Sequence, residues 1–214
     1  MVTDAYLVQL TLESRETGEI IGATGSNEEG KQRVETFTRL QTAFHRSSCA
    51  TGLDKFQACL KPLLDDWVKE DTSTHFFIIV TGHGSQEGKL EYTSLGVPRE
   101  LTPEVFWDGM EAPVGGITPY EGLSKILEVV PDEKLDRIHI LVVTCYSNQV
   151  AARFGKPQQL NNVTFRGISS DPTQRVSMGG STIACSTLHR QTEQFLFEEY
   201  GINVQDAVDK MKKA

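Results

Sequence analysis

The chain has 214 residues, and several of the features that would place it quickly are missing. No apolar run approaches the roughly eighteen residues of a membrane span, so no membrane partner is expected. The opening Met1-Val2-Thr3-Asp4 lacks the charged and apolar regions of a signal peptide. Cysteines stand only at positions 49, 59, 145 and 185, with no CxxC pair and no dense framework. Free thiols in a reducing compartment follow, and with them a cytoplasmic, intracellular setting. No Cys or His pair has zinc-ligand spacing, so neither a metal nor another cofactor is expected. A net charge of −8 leaves no basic surplus to neutralise phosphates, which argues against nucleic acid as a partner. No internal repeat, low-complexity block or long linker divides the chain, so residues 1–214 are expected to form a single domain. Hydrophobic residues at 38% and charged residues at 23% suit a soluble globular protein.

What is present centres on one stretch, His75-Phe76-Phe77-Ile78-Ile79-Val80-Thr81-Gly82-His83-Gly84-Ser85. From Phe76 to Thr81 every residue is aromatic, aliphatic or β-branched, the pattern of a strand buried on both faces of a parallel sheet. It ends at Gly-His-Gly, which places one imidazole at the carboxyl end, where open α/β sheets bind ligands. Ile138 to Thr144 repeats the pattern and runs straight into Cys145-Tyr146-Ser147.

Around these two strands, Tyr6–Leu12 reads as a strand and Glu13–Gly30 as a polar loop. Val34, Phe37, Leu40 and Phe44 mark a helix capped at Asn27. His45–Thr51 carries a weak strand pattern. Leu53, Phe56, Leu60, Leu64, Trp67 and Val68 line a second helix, which Pro62 should kink. Residues 86–118 are mixed, with Lys89–Tyr92 as a hairpin arm. Thr118-Pro119-Tyr120-Glu121 has the cap, proline and acid of a helix start, and Pro131 stops that helix. Gln149–Asn162 reads as a polar linker, Val163–Ile168 as a strand, and Thr182–Tyr200 and Val204–Lys213 as helices. Helices alternating with buried strands predict a three-layer α/β fold, a mainly parallel sheet with helices on both faces.

A cysteine attacks a carbonyl carbon only as the thiolate, so it needs a base nearby. If the Phe76 and Ile138 strands are parallel neighbours, His83 and Cys145 emerge at the same edge, about one strand spacing apart. The backbone amides of Gly84 and Cys145 would then be available to a developing oxyanion.

These residues resemble the caspase-like cysteine peptidases of clan CD, which include caspases, metacaspases, legumains and gingipains. The resemblance rests on Ile-Ile-Val-Thr-Gly-His83-Gly84 and Leu-Val-Val-Thr-Cys145-Tyr-Ser147. Gly-His-Gly is closest to metacaspases, and Cys-x-Ser is shared by metacaspases and legumains. It implies a caspase-like fold and a His83–Cys145 dyad that hydrolyses peptide bonds of a peptide or protein substrate through a thioester. It also implies an oxyanion site at Gly84 and Cys145, and substrate contacts from Ser169, Ser170 and Asp171. An acidic Asp171 would favour cleavage after a basic residue. Some metacaspases need calcium; nothing in the sequence indicates that need here. Two positions depart from the family. Asn148 stands where Gly is usual, and Val143 stands where metacaspases carry Asp and caspases Gln for substrate recognition. The 149–162 linker is short, so excision of a long intersubunit segment is not expected, and Arg153 and Lys156 stand as candidate cleavage positions within it.

The remaining polar residues have plainer readings. Cys49, Cys59 and Cys185 read as packing residues, His45, His75 and His189 as solvated or capping, and His139 as a satisfied core histidine. Ser85 lacks the Gly-x-Ser-x-Gly elbow of a serine hydrolase, and Arg153 is too far from Cys145 for a phosphatase loop. Two rival functions stand: a catalytically inactive caspase-like binding or regulatory module, and a flavodoxin-like ligand-binding protein. The phosphate loop of the latter should follow the first strand, whereas the candidate Gly22–Ser26 lies too far from Leu12.

Overall fold

The computed structural model describes residues 3–12, 39–70, 73–94, 97–110, 119–168 and 181–214. The Glu13–Gly30 loop, most of the helix expected from Val34, Gly22–Ser26 and Ser169–Asp171 lie outside them, as do the side chains of Cys185 and His189.

Five parallel strands form the main sheet: β1 (Thr3–Thr11), β2 (Phe44–Thr51), β3 (Phe76–Thr81), β7 (Ile138–Val143) and β8 (Thr164–Gly167), in the order β2-β1-β3-β7-β8. The two strands of highest apolar density, β3 and β7, are neighbours at the centre, where both faces exclude water. Between them the chain builds a small antiparallel sheet from β4 (His83–Gly84), β5 (Leu90–Ser94) and β6 (Val97–Leu101). The helices are α1 (Leu53–Lys69), α2 (Pro103–Asp108), α3 (Leu123–Ile126), α4 (Ser147–Phe154), α5 (Ser181–Tyr200) and α6 (Val204–Lys213).

Alternation along the strands divides the core into two. On one face, Val8, Leu10, Ile78, Val80, Ile140 and Val142 meet Phe56, Leu60, Leu64 and Trp67 of α1, with Phe106, Ile126 and Val150. On the other, Leu7, Phe77, Ile79, Leu141 and Val143 meet Phe195 and Leu196 of α5 and Val204 and Val208 of α6. Helices therefore cover both faces, the three-layer α/β arrangement expected. Each fully buried side chain of this size contributes about 1.5–3 kcal/mol. No helix among the described residues is long and apolar enough to cross a membrane.

Three local expectations change. The helix expected from Pro119 begins only at Leu123. Residues 119–121 instead bind α1: Gln57 Nε2 donates to the Pro119 carbonyl at 3.2 Å, and the Glu121 amide donates to Gln57 Oε1 at 2.7 Å. Thr118, the expected cap, lies outside the described residues. The "polar linker" after Gln149 is in its first part a helix, because Val150 and Phe154 fall one turn apart on the core side. The expected strand at 45–51 is real and starts one residue earlier, at Phe44, where the first helix was expected to end. Helix α1 runs through Pro62 as one element.

Candidate active site

Register places the two motifs together. Thr81 of β3 lies opposite Val143 of β7, so His83 and Cys145, each two residues further on, leave the same edge of neighbouring strands. His83 does not end β3. The chain turns off the main sheet at Gly82, and His83–Gly84 pairs antiparallel with Glu91–Leu90.

The hairpin that follows explains how Gly84 is oriented. Ser85 N donates to the Lys89 carbonyl at 3.0 Å, and Gly88 N donates to the Ser85 carbonyl at 3.0 Å. Gly88 takes φ +76°, the left-handed position that closes a three-residue hairpin loop and favours glycine. In an antiparallel ladder bonded and non-bonded pairs alternate. With Ser85 bonded to β5, Gly84 occupies the non-bonded position and its N–H turns away from β5.

Gly84 faces Cys145 at backbone distance. A Cβ built on Gly84 would lie 2.0 Å from the Cys145 carbonyl oxygen and 2.7 Å from Thr144 Oγ1, so only glycine fits. On the far side, a Cβ on Gly167 at the end of β8 would lie 2.4 Å from the Ser147 carbonyl carbon and 2.6 Å from Asn148 N. The Cys145 turn is thus held between two bare backbones, one from the small sheet and one from β8.

The turn itself is sharp. Tyr146 has φ 51° and ψ 37° and is, among the described residues, the one non-glycine at positive φ. That conformation costs roughly 1–3 kcal/mol and is typical of functional turns held by their surroundings. Three residues, Thr144 to Tyr146, carry the chain from β7 into α4, leaving Cys145 partly exposed just before the helix; His83 is exposed. Thr144 is 2% exposed, and its Oγ1 has no hydrogen-bond partner among the described residues. A buried hydroxyl left so costs about 1–3 kcal/mol, so Thr144 Oγ1 calls for a partner such as an ordered water or a ligand.

The two departures from the family pattern have physical accounts. Asn148 lies inside α4 at negative φ, so no glycine is required there. Val143 is buried against α5 and α6 and serves the core. Ser85 is a turn residue: Lys89 N donates to its Oγ at 3.2 Å, and its hydroxyl holds the exposed Glu87 carboxyl below the usual range. Arg153 is paired with Glu100 at 2.6 Å inside α4, and Lys156 Nζ donates to the Val163 carbonyl at 2.7 Å. Both expected processing sites are therefore engaged.

Sequence reasoning did not find Thr144, Tyr146 or Gly167. Gly167 carried a readable signal, a glycine in a strand implying close backbone approach; the left-handed Tyr146 carried none. The structure describes Gly84 and Cys145, the pair expected to donate to an oxyanion, but not Ser169, Ser170 or Asp171. Among the described residues no group of three or more His, Cys, Asp or Glu is placed to hold a metal ion.

A second imidazole cluster sits at the opposite edge of the same two strands. His75 Nδ1 and His139 Nε2 share a hydrogen bond of 2.7 Å, and Tyr200 Oη lies 3.2 Å from His139 Nδ1. Burial, then the charge of His75, pushes His139 down to about 4. His75 is lowered by desolvation first and then by Arg137. Comparison with protein-family models, curated proteins and solved structures finds no match to the chain.

Proposed function

We propose that the protein is a cysteine endopeptidase with His83 and Cys145 as its dyad, similar in these motifs to the caspase-like peptidases. The observation that carries this reading is the fit of Gly84 against the Cys145 carbonyl, which fastens the histidine-bearing strand to the cysteine-bearing turn.

The chemistry follows from the arrangement. His83 accepts the Cys145 thiol proton, and the thiolate attacks the scissile carbonyl carbon. The amides of Gly84 and Cys145 receive the developing oxyanion, Gly84 having no side chain to shield its N–H. His83 then returns the proton to the leaving amine, and water hydrolyses the thioester with His83 as base. The substrate is a peptide or protein. Preference for a basic residue before the scissile bond belongs to the same reading and rests on Asp171. The free thiols Cys49, Cys59 and Cys145 suit a reducing, intracellular compartment.

Two observations favour other readings. Val143 occupies the recognition position of the caspase-like family with a core side chain, which favours an inactive binding module. The order β2-β1-β3-β7-β8 is also that of flavodoxin-like folds, which favours a ligand-binding protein. Peptide-library cleavage by wild type and Cys145→Ala separates them. Cleavage that disappears in the variant supports the peptidase, and identical behaviour of the two proteins ends it. Flavin or nucleotide retained through purification would establish the flavodoxin-like reading. An Asp171→Ala protein that keeps a basic preference would refute the pocket assignment.

A further inference from the structure

The small sheet and its hairpin loop meet α4 and the turn before it at three points spaced by four residues. Gly84 touches the Cys145 carbonyl, and a Cβ on Gly88 would lie 2.6 Å from the Gln149 carbonyl oxygen and 3.0 Å from Arg153 Cβ. Arg153 Nη2 lies 2.6 Å from Glu100 Oε1 of β6, an ion pair by distance in which no hydrogen bond is formed. Residues 149 and 153 lie one turn apart on one helix face, and 145 stands just before it. The hairpin therefore lies along the helix that Cys145 opens.

Across the small sheet, His83 is opposite Glu91, and Glu91 is opposite Glu100. The three stand in one cross-strand row, with side chains on one face, and adjacent members are about 5 Å apart. Glu100 is thus the far end of the row that begins at His83. Leu90 and Leu101, in the adjacent row, are buried in the core on the opposite face. The row carrying His83 has no such apolar anchor, so its lateral position depends on what holds Glu100.

We propose that the Glu100–Arg153 ion pair is a positioning clamp that holds the His83 row against the helix following Cys145 and so sets the imidazole–thiol geometry. This rests on the His83–Cys145 reading above. Neither residue reaches the reacting atoms; both act through the hairpin and the helix. The ion pair is partly buried, with side chains 35% and 29% exposed, and is backed by the Gly88–Gln149 contact.

The test measures the pH profile of Cys145 alkylation by iodoacetamide, alongside amide hydrogen exchange over residues 90–101. The proteins compared are wild type, His83→Ala, Arg153→Gln, Glu100→Gln and the exchanged pair Arg153→Glu with Glu100→Arg. The expected result is slower alkylation near neutral pH in each single variant, by roughly threefold. Hydrogen exchange in β5 and β6 should be faster, and the exchanged pair should recover most of both losses. Faster exchange with an unchanged alkylation profile would overturn the proposal, because the pair would then be merely structural. No change in either would overturn it too. If His83→Ala itself leaves Cys145 alkylation unaltered, the dyad is what fails, and the clamp falls with it.

Discussion

Imidazoles stand at both edges of the β3–β7 pair, His75 and His139 at the amino edge and His83 past the carboxyl edge, and the two edges treat them in opposite ways. At the amino edge, both ring nitrogens of His139 are taken up, by His75 and by Tyr200, and the three rings pack with Phe77. At the carboxyl edge the contacts are between backbones: Gly84 on Cys145, and Gly167 on Ser147 and Asn148. The first arrangement spends side chains on structure. The second fixes the chain through bare backbone and leaves His83 and Cys145 exposed or partly exposed at the surface. The type of residue does not separate a structural histidine from the base proposed here; what its nitrogens already hold does.

The comparison can be broken at either end. The largest effect is expected from Cys145→Ala, which should lower peptide cleavage by at least about a thousandfold with little change in melting temperature. His83→Ala should cost about a hundred- to ten-thousandfold. Gly84→Ala comes next. Its methyl cannot occupy a point 2.0 Å from the Cys145 carbonyl oxygen. Chemical denaturation should therefore show a loss of about 1–3 kcal/mol, with activity falling more than stability.

At the amino edge the expected effects are on stability alone. His139 is held at about 4 in the folded protein, below its ordinary value of 6.5. The unfolded chain therefore binds the extra proton first. The stabilisation is full above about pH 6.5 and is lost as the pH falls towards 4, on the order of 3 kcal/mol. Denaturation midpoints across that range should fall in wild type and flatten in His139→Phe. Tyr200→Phe removes the 3.2 Å contact to His139 and should cost about 1 kcal/mol without touching activity. Loss of cleavage in Tyr200→Phe, at a temperature where it stays folded, would blur the division between the two edges.

Legibility in the sequence followed the same division. The buried strands and the motifs at their ends could be read because six apolar residues followed by Gly-His-Gly or Cys-Tyr-Ser are local signals. The adjacency of β3 and β7 was a condition of the sequence argument, and the structure supplies it. Helix α4 was hidden because it is short and opens on the polar Ser147, Asn148 and Gln149, and among its large apolar residues only Val150 and Phe154 mark its buried side. The start of α3 was misplaced because Gln57, sixty-odd residues away, claims the backbone at 119–121. No local pattern reports such a partner. The left-handed Tyr146 was equally silent, since it is imposed by neighbours on both sides of the turn and not by its own preference.

One labelling experiment tests the central claim most directly. A peptide-based thiol-directed probe should be followed by intact mass and peptide mapping in wild type and His83→Ala. Cys49, though on the exposed edge strand β2, has its thiol pushed up by desolvation and should compete poorly. The account predicts a single adduct on Cys145 that is strongly reduced in His83→Ala. Equal labelling of Cys49 or Cys59, or Cys145 labelling indifferent to His83, would contradict it.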